Sequence, residues 1–217
     1  MPEPAAVPLE RVTIDLDHFA VRLWRATALE RFIDVDALLR DDAPPEPPYW
    51  MHMWPGALSL ARRCAAASDL GTGTRVLELG CGLGLPSVVA ARRGAHVVAS
   101  DRAGAPLAIV ARSAADNACA VSCVQMDWQR PALRGDFDLC LGADIGYDRD
   151  AESSLAAALA ALLRRGGVAW LADSVNTART SLEAALRAAG FAVRIESQRE
   201  LEAGRPLWIR MIEACRR

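Results

Sequence analysis

The sequence predicts an α/β fold, with one mostly parallel sheet of seven strands and helices on both of its faces. From Arg75 onward, short apolar runs alternate with helical patterns. Strands that alternate with helical stretches of about 10–15 residues indicate βαβ units and a parallel sheet. The last two strands are separated only by the turn at 202–206. They are therefore expected to pair as an antiparallel hairpin at the edge of the sheet.

The N-terminal part of the chain has a different pattern. Apolar residues at every second position of Arg11–Leu16 predict a half-buried strand, and the run Phe19–Trp24 is expected to pair with it as a hairpin. Asp34–Arg40 suits a short helix with an aspartate N-cap. Four prolines in Asp41–Pro48 prevent that helix from continuing. We therefore expect 1–48 to be an extension that packs on the main domain at 49–217, the whole forming a single compact domain.

The main domain is predicted to contain seven strands and four helices. A proline opens the first of these helices, and glycines follow the last two, as is usual at helix ends. The predicted strands are Arg75–Leu79, His96–Asp101, Val121–Met126, Phe137–Gly142, Val168–Ala172, Val193–Ser197 and Leu207–Ile212. The predicted helices are Pro86–Arg93, Ala105–Ala115, Glu152–Arg165 and Thr180–Ala189.

Composition and charge exclude several classes of protein. With 52% apolar and 24% charged residues, the chain is not expected to be disordered. A formal net charge of -2 excludes a globally basic nucleic-acid binder, so we expect no nucleic-acid partner. All 25 basic residues are arginines. Without lysine, the chain lacks the Gly-Lys-Ser/Thr sequence of a P-loop triphosphate site.

Targeting signals and metal motifs are also missing from the sequence. The N-terminal residues lack the apolar core of a signal peptide. The longest uncharged run, at 47–61, is shorter than the ~20 residues that span a bilayer. We expect a cytoplasmic monomer without a membrane partner, and six cysteines that are free thiols. Cys119 and Cys123 have no second pair of ligands at zinc-site spacing, so no metal is expected.

A glycine-rich segment, Glu78–Gly84, lies between the first strand of the main sheet and its helix. Glycines there permit a positive φ and a close approach of backbone to ligand, although glycines also end strands for packing reasons. Leu85 stands where the dinucleotide fingerprint has its third glycine. Asp101, about 20 residues further on at a strand end, is placed to accept hydrogen bonds from ribose hydroxyls.

The charge of this segment indicates the kind of nucleotide. Glu78 is expected to project a carboxylate beside the loop, which favours a cationic ligand over a pyrophosphate. S-adenosylmethionine (SAM) carries a sulfonium and an ammonium group and no phosphate. The electrostatics therefore favour SAM over NAD.

Val76–Pro86 strongly resembles the first motif of the class I, seven-strand, SAM-dependent methyltransferases, whose fold is Rossmann-like. Ala95–Asp101, the Asp127-Trp128 pair and Phe137–Asp144 agree with this resemblance. With the tryptophan-rich segment Pro48–Ala57, they are similar to one subgroup. That subgroup contains the protein-lysine methyltransferases related to the methylase of the electron transfer flavoprotein beta subunit, and its bacterial relatives. The resemblance covers nearly the whole chain.

The resemblance implies a set of cofactor contacts. Glu78, Gly80 and Gly82 would hold the methionine part of SAM, and S-adenosylhomocysteine (SAH) would be the product. Asp101 would bind the ribose hydroxyls, while Asp127 would accept a hydrogen bond from the adenine amino group. The other residues expected at the cofactor are Trp54, which would close over it, Trp128, which would pack beside the base, and Cys81, Gly84, Arg102 and Ala143.

The resemblance also implies an acceptor site. Asp144 and Tyr147 match a D-x-x-Y motif that lines this site in the subgroup, and they are the expected catalytic residues. Asp144 ends an apolar strand, where a carboxylate has no packing role and where open α/β sheets bind ligands. Tyr49 and Trp50 also suit a role as core aromatics. The sequence departs from its relatives at Asp173–Asn176, where they often have an arginine, and this leaves the substrate open.

These observations predict a SAM-dependent methyltransferase whose most favoured acceptor is a lysine side chain of a partner protein. Moving a lysine pKa from ~10.4 to 7 corresponds to roughly 4.6 kcal/mol, and desolvation beside a cationic sulfonium helps to supply it. Two alternatives stay open at this point. One is a small-molecule N-methyltransferase, since the same scaffold serves both kinds of acceptor. The other is a SAM-binding protein without catalytic activity.

Overall fold

The computed structural model describes residues 8–27, 48–146, 149–174, 180–202 and 204–217. The predicted helix Asp34–Arg40 and nearly all of the proline-rich segment lie outside these residues. Within the described ranges, no helix has both the length and the apolar character needed to cross a membrane.

The described chain contains nine strands and five helices, together with a 3₁₀ turn at Tyr49–Met51. The strands are β1 (Leu9–Asp15), β2 (Ala20–Ala26), β3 (Arg75–Leu79), β4 (His96–Asp101), β5 (Val121–Gln125), β6 (Phe137–Ala143), β7 (Leu163–Ser174), β8 (Phe191–Glu202) and β9 (Arg205–Arg216). The helices are α1 (Pro55–Ala66), α2 (Leu85–Arg92), α3 (Gly104–Asp116), α4 (Arg149–Leu162) and α5 (Thr180–Ala188).

Seven strands form one sheet in the order β5-β4-β3-β6-β7-β9-β8. The pairs from β5 to β7 are parallel, whereas β9 runs antiparallel to both of its neighbours. The predicted fold class, a mostly parallel sheet with an antiparallel C-terminal hairpin, is confirmed. Because the strand order reverses direction between β3 and β6, the carboxyl ends of these strands form the crevice in which such sheets bind ligands.

Helices cover both faces of this sheet, and the residues of β3 show why. Val76 packs on one side with Leu60 of α1 and Val88 of α2. Its neighbour Leu77 faces the other side, where it packs with Leu159 of α4. Successive side chains of a strand point to opposite faces, so a strand buried on both sides is apolar throughout.

Helix α1 is an element that the sequence analysis did not predict. It begins at Pro55, followed by Gly56, and a proline-glycine pair in an aromatic segment gives little helical signal. Proline nevertheless suits the first turn of a helix, because its missing N–H has no partner there. Leu60, Ala61 and Cys64 are fully buried on the inner face of α1. The helix therefore joins the core through its second and third turns.

Several boundaries also differ from the prediction. Helix α4 ends at Leu162, because Leu163 is buried and pairs with Phe137 as the first residue of β7. Strands β8 and β9 are twelve residues each, longer than expected. Their pairing continues from Phe191 opposite Arg216 to Glu202 opposite Arg205.

Strands β1 and β2 form the predicted N-terminal hairpin, and the hairpin packs on α3. The backbone N–H of Trp24 donates to Ser113 Oγ at 3.0 Å, and its indole Nε1 donates to Asp116 Oδ2 at 2.9 Å. The Arg112 guanidinium lies 3.3 Å from the centre of the Trp24 ring. One tryptophan thus joins the hairpin to the main domain.

Candidate functional site

A cleft of about 570 Å³ opens at the carboxyl edge of the sheet. It is formed by the loops that follow β3, β4, β5 and β6, and by the segment that leads into α1. Met53 and Gln125 line it although no sequence motif pointed to them, and His52 lines it as well. The predicted site residues that line the cleft are Trp54, Gly80, Cys81, Gly82, Gly84, Asp101, Arg102, Trp128, Ala143 and Asp144.

The loop after β3 needs its glycines. Gly80, Gly82 and Gly84 have φ values of 59°, 48° and 70°, which L side chains rarely adopt. A Cβ atom at Gly80 would lie 2.8 Å from Ile145 Cγ2, and one at Gly84 would lie 2.5 Å from Val110 Cγ2. A side chain would therefore fit at neither position, and the loop lines the cleft with its glycines.

Asp101 joins this loop to the loop after β4. Its Oδ2 accepts a hydrogen bond from Gly82 N at 3.0 Å, and its Oδ1 accepts one from Ala103 N at 2.9 Å. The side chain is buried, and burial raises the pKa of its carboxyl group. Each carboxylate oxygen has a second lone pair. Asp101 can therefore hold both loops and still accept from a ligand hydroxyl.

The position of Glu78 differs from the expectation that its carboxylate projects beside the loop into the ligand site. The side chain is 1% exposed, and it does not line the cleft. Its Oε2 accepts hydrogen bonds from the backbone N–H and the hydroxyl of Ser87, in the first turn of α2. Burial raises the pKa of Glu78 to about 8. The visible role of Glu78 is to hold the start of α2 beneath the glycine loop.

Asp144 lies where β6 leaves the sheet, in a left-handed conformation with φ of 51°. Its Oδ2 accepts a hydrogen bond from Gly56 N and its Oδ1 accepts one from Ser174 N, each at 2.8 Å. The side chain is 8% exposed and still lines the cleft. Asp144 therefore holds the start of α1 and the end of β7 at the same wall. Its predicted partner Tyr147 lies outside the described residues.

Aromatic side chains of the segment that leads into α1 also line the cleft. Trp54 Nε1 donates to the Tyr49 carbonyl at 2.9 Å, and the Trp54 ring meets His52 edge to face at 4.7 Å. Tyr49 is 43% exposed at the mouth of the cleft, so it is not a core residue. Trp50, by contrast, is buried in the core, as the alternative interpretation of this residue expected.

The adenine-side prediction is met only partly by the geometry. Trp128 lines the cleft and lies against Gly80. Among the described residues its buried indole N–H has no hydrogen-bond partner. Asp127 does not line the cleft, and its Oδ1 accepts from Gln129 N at 2.9 Å in a local turn. Gln125, which the sequence analysis missed, donates to the Arg102 carbonyl at 2.9 Å and lines the cleft.

A second buried carboxylate lies behind Asp144. Asp173 is 2% exposed and accepts a hydrogen bond from Gly146 N at 3.3 Å. Burial and the neighbouring charge of Asp144 raise the pKa of Asp173 to about 6. Of the segment Asp173–Asn176, in which the sequence departs from its relatives, the first two residues are described, and both contact this wall. The carboxylates of Asp144 and Asp173 give this wall a negative charge, which favours a cationic ligand.

No group of three or more potential metal ligands occurs among the residues that the structure describes. The six cysteines are free thiols. Burial raises the pKa of Cys81, the cysteine inside the glycine loop. A thiol of this kind is a poor nucleophile.

Comparison with known proteins shows which proteins this chain is similar to. Residues 76–167 match the family model described as a methyltransferase domain. The chain is 33% identical over 104 residues to the electron transfer flavoprotein beta subunit lysine methyltransferase of Danio rerio, covering 46% of this chain and 40% of that protein. It is 31% identical over 147 residues to the histone-arginine methyltransferase METTL23 of Xenopus laevis, and this match covers 64% of this chain and 63% of that protein. The chain thus spans less than two thirds of the length of these relatives.

Solved structures agree on the fold. Magnesium protoporphyrin IX methyltransferase (ChlM) from Synechocystis with bound SAM has a TM-score of 0.61 at 20% identity, covering 74% of this chain and 78% of that one. The 16S rRNA methyltransferase RsmC from T. thermophilus has a TM-score of 0.68 at 18% identity, covering 96% and 51%. The resemblance seen in the sequence is confirmed: residues 76–167 match a methyltransferase domain, and the seven-stranded sheet has the fold of solved methyltransferases.

Proposed function

We propose that this protein is a SAM-dependent methyltransferase that methylates a side-chain nitrogen of a partner protein, with lysine as the first choice of acceptor. One observation carries the proposal. A single cleft joins the bare glycine loop and Asp101 on one side to the buried carboxylate of Asp144 on the other. A cofactor site and a site for a cationic acceptor therefore lie in one continuous space.

The cofactor side of the cleft fits SAM. Gly80, Gly82 and Gly84 leave the backbone open, and Asp101 presents oxygen acceptors for ribose hydroxyls. The Trp128 side chain lines the cleft beside Gly80, where it can pack against the base. SAM supplies a methyl group on a positively charged sulfur. The chain's part is to bind and orient the reactants, because a direct displacement depends mainly on alignment.

The acceptor side of the cleft is suited to an amine. An acceptor lysine must lose its proton, which corresponds to roughly 4.6 kcal/mol at pH 7. Burial of the amine favours its neutral form, and the buried wall at Asp144 and Ile145 provides a desolvated surface. We infer that Asp144 and Tyr147 bind the amine and orient its lone pair. Because the chain contains no lysine, a lysine acceptor must come from another protein.

Arginine is the second candidate acceptor, and the comparisons favour keeping it. The match to the Xenopus histone-arginine methyltransferase covers 64% of this chain, as does the match to the electron transfer flavoprotein beta subunit lysine methyltransferase of Xenopus laevis. A guanidinium stays charged at every physiological pH. An arginine acceptor would need a carboxylate that binds its guanidinium group. A lysine acceptor would need the desolvated wall, which favours loss of its proton.

The test is methyl transfer from SAM labelled with tritium into a host lysate, separated afterwards into protein and small-molecule fractions. We expect label in the protein fraction, and acid hydrolysis of the labelled protein should release methyl-lysine. Methyl-arginine would select the second candidate. Label only in small molecules would indicate a small-molecule methyltransferase, and SAM binding without any transfer would indicate a non-catalytic protein. The matched variants are Asp144→Ala and Asp69→Ala, since Asp69 is exposed in a turn away from the cleft.

A further inference from the structure

The β8–β9 hairpin extends beyond the rest of the sheet. The last described pair between β7 and β9 joins Ser174 to Ile209. Strands β8 and β9 continue for four more residue pairs, from Arg199 opposite Trp208 to Glu202 opposite Arg205. At about 3.4 Å per residue, this extension is about 14 Å long. Because Ser174 is the carboxyl end of β7, the extension projects from the same edge of the sheet as the cleft.

One face of this extension is apolar and open to solvent. Arg199 and Leu201 of β8 lie on the same face as Pro206 and Trp208 of β9, because directly paired residues share a face and alternate residues return to it. Leu201 is 66% exposed and Trp208 is 53% exposed. We call these four residues the hairpin-tip face. Of the large hydrophobic side chains in the described residues, Tyr49 at the mouth of the cleft is the other exposed one.

The same face of the hairpin is covered nearer the middle of the sheet. There, Val193 and Ile195 pack in the cluster that contains Leu182 and Leu186 of α5. The part of this face that packs with α5 ends before Leu201, so the apolar face of the hairpin continues beyond the helix. An exposed tryptophan beside an exposed leucine is unusual for a soluble surface, and such patches mark interaction sites.

The charge of the hairpin-tip face indicates its partner. The Arg199 guanidinium is exposed and lies 5.9 Å from the centre of the Trp208 ring. Arg205 pairs with Glu202 and therefore lies on the opposite face of the hairpin. Tryptophan and arginine are the residues that contribute most to binding at protein interfaces. A partner's apolar side chain would bury against Trp208, and a carboxylate next to it would pair with the Arg199 guanidinium.

We propose that the hairpin-tip face docks the acceptor protein through a segment that presents an apolar side chain flanked by acidic residues. The proposal rests on the proposed function in one respect, that the acceptor is a protein. A short chain of contacts connects the hairpin-tip face to the cleft. Trp208 is followed by Ile209, which pairs with Ser174 of β7. The backbone N–H of Ser174 in turn donates to Asp144 Oδ1. The hairpin tip therefore projects from the same edge of the sheet at which Asp144 lines the cleft.

The first measurement uses two short synthetic peptides with the same Leu-Phe centre, one flanked by glutamates and the other by lysines. The glutamate peptide should bind the wild-type protein, and Trp208→Ala and Arg199→Glu should each weaken this binding about tenfold. Arg194→Glu is the matched control, because Arg194 is an exposed arginine near the other end of β8. Equal binding of both peptides, or equal binding by wild type and Trp208→Ala, would overturn the proposal.

The second measurement is the lysate labelling assay at several lysate concentrations. At low lysate concentration, Trp208→Ala should transfer less label to proteins than the wild type does. At high lysate concentration the labelling should return to the wild-type level, and SAM binding should be unchanged. Equal labelling at every concentration would overturn a role in substrate docking. If the wild type transfers no label to protein, the proposed function fails, while the peptide result still decides whether the surface binds. A dimer that Trp208→Ala dissociates would instead assign the surface to a second copy of this chain.

Discussion

Asp144 Oδ2 lies 2.8 Å from the backbone nitrogen of Gly56, although the two residues are 88 positions apart in the sequence. Gly56 is the second residue of α1, where backbone N–H groups have no partner within the helix. The positive end of the helix dipole also favours a carboxylate at this position. The other oxygen of Asp144 accepts from Ser174 N. One side chain therefore fixes the relative positions of β6, α1 and β7 at the cleft.

We predict that Asp144→Ala lowers both stability and methyl transfer. Two buried N–H groups would lose their acceptor, and each loss costs about 1–3 kcal/mol. The free energy of unfolding, measured by urea denaturation, should fall accordingly, and transfer should fall at saturating substrate. Asp144→Asn should give an intermediate result because it keeps one oxygen acceptor. Near-normal turnover by Asp144→Ala would show that Asp144 has no role in methyl transfer.

Gly56→Ala provides a sharper test of the same contact. Alanine ordinarily stabilises a helix interior by about 1 kcal/mol relative to glycine. Here its Cβ would lie 2.4 Å from Asp144 Oδ2 and 2.6 Å from the Ala172 carbonyl oxygen. We therefore expect the opposite sign, a loss of about 1–3 kcal/mol in the free energy of unfolding.

Gly71→Ala is the control for this substitution. The nearest atom to a Cβ there is the Arg93 carbonyl oxygen at 3.5 Å, an ordinary contact. We expect little change in the urea midpoint for Gly71→Ala. A Gly56→Ala protein as stable as the wild type would show that Asp144 and α1 are not in close contact.

Glu78 leads to a prediction about pH. Burial raises its pKa from an ordinary 4.5 to about 8 in the folded protein. The folded state then holds a proton at pH values where the unfolded state has released it. Its contribution to stability is fully present below pH 4.5 and is lost as pH rises toward 8. The pKa values of Asp101 and Asp173 are raised as well, so they act in the same direction.

The measurement is the free energy of unfolding as a function of pH for wild type and Glu78→Gln. Glutamine resembles the protonated glutamate in shape and charge and can still accept from Ser87. We expect the wild type to lose stability as pH rises toward 8, with a slope of up to about 1 kcal/mol per pH unit from this residue. The slope should be smaller for Glu78→Gln. Identical slopes would mean that Glu78 is ionised in the folded protein.

The sequence predicts most of the sheet because its signals are local. Strands such as Arg75–Leu79 are apolar on both faces, and glycines mark the loop and the helix ends. Helix α1 escapes prediction because the contact that holds its first turn comes from Asp144, far away in sequence. The lengths of β8 and β9 likewise follow from their pairing with each other, which no local pattern reveals.

The candidate site, too, is only partly predictable from the sequence. A position at a strand end is enough to bring Asp101 and Asp144 to the cleft, because the carboxyl ends of parallel strands share one edge. Motif position is not enough to give the direction of a side chain. Glu78 precedes the same loop and yet points beneath it to Ser87. Gln125 was missed because its place in the cleft depends on the packing of the surrounding loops.

Calorimetric titration with SAM and SAH tests the central claim most directly. The cleft should bind SAM at one site per chain, and SAH should compete for it. Asp101→Asn should weaken binding about tenfold, because one of the carboxylate oxygens is replaced by a donor and the charge-assisted hydrogen bonds are lost. Trp208→Ala, outside the cleft, should bind SAM as the wild type does. The absence of SAM binding, or binding that Asp101→Asn leaves unchanged, would contradict the account.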